Sequence, residues 1–86
     1  MNLVFTRVAH KQLMKLSDKV HDAVVQKMSY VVADFGTSEL NLDIKKLSDR
    51  DGYRLRVGDY RVIYEIDKLR DELVVVSVGH RREVYK

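Results

Sequence analysis

Arg54, Arg56 and Arg61 stand inside the run "GYRLRVGDYRVIY", where apolar and charged residues alternate as they do in a β-strand. Guanidinium groups keep their charge at any physiological pH and fork onto carboxylate or phosphate oxygens. Gly58-Asp59 reads as a two-residue hairpin loop, with Gly at the first central position of a type II′ turn. Closure on that loop sets Val57 opposite Tyr60, Arg56 opposite Arg61, Leu55 opposite Val62 and Arg54 opposite Ile63. Directly opposed residues share a face. The three arginines therefore converge on one side, and Tyr53, Leu55, Val57, Tyr60, Val62 and Tyr64 take the other. Like charges directly across a hairpin repel, so Arg56 and Arg61 call for an anion between them. A phosphate-bearing ligand would serve, and so would a carboxylate of the chain such as Glu65 or Glu83; the sequence leaves both open.

A guanidinium face of this kind suits RNA, since it binds phosphates and stacks on bases. Cleavage of a phosphodiester by its own 2′ hydroxyl needs stabilisation of a crowded, doubly charged phosphorane and transfer of protons, and it requires no metal. Arginines supply the first by preorganised charge but are poor bases. The run "HRREVYK" offers His80 and Tyr85 for the second, beside Arg81. If Val74, Val76 and Val78 enter the core, Ser77 and Gly79 look to the arginine side and these residues reach its rim. No phosphate-cradling glycine motif is present, cysteine is absent, and the three histidines lack metal-ligand spacing. Neither a metal nor a cofactor is expected. His10 and His21 belong to helix surfaces, and the stripe Tyr53, Tyr60, Tyr64 belongs to the core.

The elements that hold this face follow from hydrophobic periodicity. "NLVFT" is a short strand, and Thr6 can cap a helix through about Leu16 with Ala9, Leu13 and Leu16 on one side. Ser17 and Asp18 can cap a second helix, where Val20, Val24, Met28, Val31 and Phe35 recur at spacings of three and four until Gly36 stops it. After a polar stretch at 37–52 the period becomes two, giving three strands joined by short turns. The expected fold is α+β, in the order β-α-α-β-β-β, an antiparallel sheet with a helical hairpin packed on one face.

The 86 residues are expected to form one domain, 1–86, held by its core alone. The net charge of +3 arises wholly after residue 44, where eleven basic residues face eight acidic ones. That excess fits a polyanionic partner or a merely solvated basic surface. No apolar run is long enough to cross a membrane, and "MNLVFTRVAHKQL" lacks the basic and apolar regions of a signal peptide, so a cytoplasmic address is expected.

"KKLSDRDGYRLRVGDYRVIYEI" followed by "LVVVSVGHRREVYK" resembles the RelE branch of the RelE/ParE toxin superfamily, toxins of type II toxin–antitoxin modules. The resemblance spans the chain, and its specific part is residues 45–85, with the "EVY" ending favouring RelE over ParE. It implies a ribosome-dependent endoribonuclease that cuts mRNA in the 30S A site and is neutralised by an acidic, helical antitoxin that folds on binding. By position, Arg54 and Arg56 would contact substrate phosphates or assist proton transfer, and Arg61 would stabilise the transition state. Arg81 would protonate the leaving group and Tyr85 would stack on the base. Lys45, Lys46 and Arg82 would be further RNA contacts. Relatives carry lysines at the positions of Arg54 and Arg56, so the base is open here, and His80, where a lysine is common, enters as an alternative. The chain ends at Lys86 without the C-terminal helix of many relatives, so regulation by displacing such a tail is not expected. Two other functions share the scaffold: a ParE-like poison of DNA gyrase, and an inactive toxin relic that still binds antitoxin.

Overall fold

The structure, a computed structural model, describes residues 1–33 and 42–80. The expected order of elements is borne out, with one strand added. β1 (Asn2–Phe5) leads into α1 (Arg7–Met14) and α2 (Asp18–Ala33), followed by β2 (Ile44–Lys46), β3 (Tyr53–Val57), β4 (Tyr60–Asp67) and β5 (Glu72–His80). The sheet runs β1-β5-β4-β3-β2. It is mixed: β2 to β5 pair antiparallel, whereas β1 lies parallel to β5 with Asn2 opposite Glu72 and Phe5 opposite Val75. The helical crossover between β1 and the rest of the chain is what permits that parallel pairing.

Local chemistry sets the boundaries. Thr6 is extended and its Oγ1 accepts from Ala9 N at 3.1 Å, opening α1. Ser17 Oγ accepts from Val20 N at 3.4 Å and does the same for α2. The expected end of α2 at Phe35 and Gly36 lies outside the described residues. Ala9 and Leu13 of α1 and Val24, Met28 and Val31 of α2 are buried, with Leu16 and Val20 partly so. They pack on Leu55, Val57, Val62, Tyr64, Leu73, Val75 and Val78 of the sheet.

The β3–β4 register is the expected one at every pair, and Gly58, at φ 58°, supplies the left-handed residue of its loop. β5 departs from expectation. Ile63 pairs with Ser77 but Tyr64 pairs with Val75, which leaves Val76 as the extra residue of a β-bulge. Parity therefore changes at Val76: Leu73 and Val75 enter the core with Val78, in place of Val74 and Val76. Thr6 marks the same point, its N donating to Val75 O at 3.0 Å and its hydroxyl to Val76 O at 3.4 Å. Beyond it β1 no longer flanks β5, and Gln12 Oε1 of α1 accepts from Val78 N at 2.7 Å instead.

Candidate functional site

β3 and β4 present Arg54, Arg56 and Arg61 on the sheet face away from the helices, because each alternates with a core residue. Arg61 is only 8% exposed. Its Nη1 donates to Tyr60 O at 3.4 Å, and its Nε is buried without a protein partner. Arg54 Nε is buried and unpartnered as well. Buried polar groups are nearly always hydrogen-bonded, so two orphaned guanidinium donors on one face point to a ligand that accepts from them. Gly79 lies directly opposite Arg61 and Ser77 opposite Ile63, as expected for the arginine side. The glycine adds no side chain beside Arg61.

The anion anticipated between the arginines has a partial answer within the chain, and it is neither of the carboxylates first considered. Asp43, just before β2, accepts from Arg54 Nη2 through Oδ1 at 2.9 Å, and its Oδ2 lies 3.9 Å from Arg56 Nη1. Arg56 N also donates to Asp43 O at 2.9 Å, so the backbone fixes the carboxylate at this place. Glu65 pairs instead with Arg50 at 3.4 Å, and Glu83 lies outside the described residues. Asp43 sits in the stretch read from sequence as a polar connection. The unmet repulsion between Arg56 and Arg61 was the signal that a carboxylate was due, though not which one.

β2 brings a fourth cation. Lys45 pairs with Arg54 across the β2–β3 ladder and so shares its face. Lys46 pairs with Tyr53. Both lysines are exposed and border a hollow of about 310 Å³ with Ser48, Asp49 and Arg54. His80 is placed elsewhere. It pairs with Tyr60, on the helix-facing parity of β4, and the two rings meet edge to face with centroids 5.6 Å apart. With Gln12, Lys15, Leu16 and Val78 they line a separate cleft of about 560 Å³. His80 is thus not brought together with the arginines. Arg81, Arg82 and Tyr85 lie outside the described residues.

Of the tyrosine stripe, Tyr64 is buried and stacks on Tyr53 at a centroid distance of 5.5 Å. Burial first, and the neighbouring Tyr53 second, push the Tyr64 hydroxyl up to about 12, so it stays protonated on the core side. Among the described residues no group of three metal-ligating side chains occurs, and no helix is long and apolar enough to cross a membrane.

Two helices on one side of a five-stranded mixed sheet, with a guanidinium-rich opposite face, define a two-layer α+β scaffold. The chain belongs to the RelE/ParE superfamily: it matches the family of ParE toxins of type II toxin–antitoxin systems, parDE, over residues 3–85. It is 29% identical over 83 residues to toxin RelG of Mycobacterium tuberculosis, a match covering 95% of this chain and 92% of that protein. The isolated RelE toxin of E. coli superposes with a TM-score of 0.76 at 28% identity, over 98% of this chain and 89% of that one. The toxin–antitoxin complex RelBE2 of Mycobacterium tuberculosis gives a TM-score of 0.69 at 30% identity, over 93% of this chain and 96% of the matched one. The protein is accordingly a toxin-family member of a type II toxin–antitoxin system.

Proposed function

We propose that this protein is a RelE-type toxin, an endoribonuclease that cleaves mRNA in the ribosomal A site, halts translation and is held inactive by a cognate antitoxin. The observation that carries this reading is the pair of buried, unpartnered guanidinium Nε atoms of Arg54 and Arg61 on one sheet face, with Arg56 and Lys45 beside them. Around Asp43, Arg54, Arg56, Arg61 and Lys45 gather positive charge on that face. A phosphodiester supplies the missing acceptor oxygens, and its charge grows towards the phosphorane, so donors fixed in advance stabilise the transition state more than the ground state. Arg56 binds phosphate from the more exposed side. Arg81 and Tyr85 keep the roles that the family resemblance gives them, leaving-group protonation and base stacking, and Lys46 and Arg82 extend the RNA contact.

The antitoxin partner is supported by structural relatives that are RelB–RelE complexes. Exposed Val8 and Met14 of α1 and Tyr30 of α2 give the helical layer apolar contact area for an acidic, helical segment that folds on binding. Since ribosomes are the target, the protein acts in the cytoplasm.

One observation favours a second reading. The matching family is described by ParE, so a gyrase poison on the same scaffold is the competing function. Programmed ribosomes with an empty A site separate the two. New mRNA 3′ ends inside the A-site codon, reduced about 10²–10³-fold in Arg61→Ala, are expected. A folded, toxic protein that leaves this mRNA intact and yields gyrase-linked DNA breaks in cells would overturn the nuclease reading.

A further inference from the structure

A nuclease of this kind needs a group to take the 2′ proton, and the arginines themselves do not provide one. Arg54, Arg56 and Arg61 remain protonated and cannot accept. His80 lies on the helix-facing parity of the sheet with Tyr60. Tyr64 is held protonated in the core. Glu65 shares the arginine parity, but it lies across from Val74, beyond Ile63, and pairs with Arg50. Asp49 borders the hollow beside Arg54, but Asp43 is the carboxylate that engages both Arg54 and Arg56, in the middle of the cations.

We propose that Asp43 is the general base of the cleavage reaction, a proposal that rests on the nuclease reading above. Its Oδ1 is bound to Arg54 at 2.9 Å, while Oδ2 is 3.9 Å from Arg56, too far for a hydrogen bond, and so keeps its accepting capacity. The side chain is half exposed, so the carboxylate can be reached from solvent. Arg54 is shared between the two parts of the site: its Nη2 holds Asp43, and its buried Nε is left to bind elsewhere. A phosphate seated on Arg54 and Arg61 therefore lies next to the carboxylate, and the 2′ oxygen of the adjoining ribose is only a few bonds from that phosphorus. The groups facing Asp43 are Arg54 and Arg56 from β3 and, further across the same face, Lys45 from β2 and Arg61 from β4.

The step balances within this set. Asp43 takes the proton of the 2′ hydroxyl as the 2′ oxygen bonds to phosphorus. The bond from phosphorus to the 5′ oxygen breaks, and that oxygen gains a proton drawn ultimately from solvent. The products are a 2′,3′-cyclic phosphate and a 5′ hydroxyl, and Asp43 returns its proton to solvent. The surrounding cations offset the repulsion between carboxylate and phosphate.

The test is single-turnover cleavage of A-site mRNA across pH, with parent, Asp43→Asn and Asp43→Glu, each checked for folding by thermal melting. Asp43→Asn keeps an acceptor for Arg54 but no basic oxygen. It should lower the rate by about 10²–10⁴-fold, abolish the acid limb of the pH–rate profile and leave ribosome binding undiminished. Asp43→Glu should restore part of the rate together with that limb. Parental cleavage accompanied by undiminished cleavage in Asp43→Asn would overturn the assignment while sparing the nuclease reading. An Asn variant that is slow but retains the acid limb would make Asp43 a positioning residue and also overturn it. Absence of cleavage by the parent would sink both.

Discussion

Arg61→Met is the substitution that separates a binding arginine from a structural one. Methionine keeps most of the aliphatic volume, so no large cavity is opened on the sheet, but it removes a charge that is only 8% exposed and whose Nε has no partner. Arg61 lies directly opposite Arg56, and Asp43 engages the latter only at 3.9 Å. Two unit charges about 8 Å apart at an effective dielectric constant of about 20 repel by roughly 2 kcal/mol. Screening by salt and the nearby Asp43 reduce this to about 1 kcal/mol, to which relief of the guanidinium's desolvation adds. The variant should therefore melt higher than the parent in low-salt buffer, with about 4–8 °C for each kcal/mol in a domain of this size. Circular dichroism melts of both proteins, with and without inorganic phosphate, check this. Phosphate should raise the midpoint of the parent and leave the variant nearly unmoved, and cleavage should be lost. A variant melting several degrees below the parent, with no phosphate effect on either, would mean that Arg61 holds the sheet together rather than a ligand.

Other consequences concern the scaffold. The raised Tyr64 pKa means that the folded state resists ionisation: its contribution is whole below pH 10 and is lost as pH climbs towards about 12, some 2–3 kcal/mol in all. Chemical denaturation between pH 9 and 12 should show that loss (window set by the same linkage), and Tyr64→Phe should flatten it. Gly52→Ala should destabilise by about 1–3 kcal/mol, since Gly52 has φ 119° and an added Cβ would meet Tyr64 O at 2.8 Å. Urea titration would reveal the effect, and a neutral outcome would mean the loop moves freely. Gln12→Leu should cost about 1–3 kcal/mol by orphaning Val78 N, with faster amide exchange at that residue as the local readout.

The arginine hairpin was legible because a two-residue loop leaves little choice of register, and each arginine then falls on a fixed side. The helical stripes were legible for the same reason of strict periodicity. β2 was not, because Ile44, Lys45 and Lys46 are all exposed and carry no burial alternation; its pairing with β3 is a tertiary fact. Asp43 went unseen with it. The bulge at Val76 was hidden by composition, since "LVVV" is apolar on either parity and a shift of one residue there leaves no mark on hydropathy. His80 shows the limit of reading a site residue by its neighbours in sequence: the alternation that turns Gly79 to the arginines turns His80 away.

The place of β5 between β1 and β4 also bears on the protein's birth. Among the described residues β1 pairs in the sheet with β5 alone, whose residues are made some 70 positions later. While translation proceeds, Asn2–Phe5 has nothing to pair with, and Thr6 lacks the carbonyls of Val75 and Val76. Joining β1 to β5 closes a loop of about 70 residues, the slowest kind of contact to form. Arg61 likewise lacks β5 on its other side until residues 72–80 leave the exit tunnel. The arginine face of the nascent protein is thus completed only once β5 has emerged and joined β4.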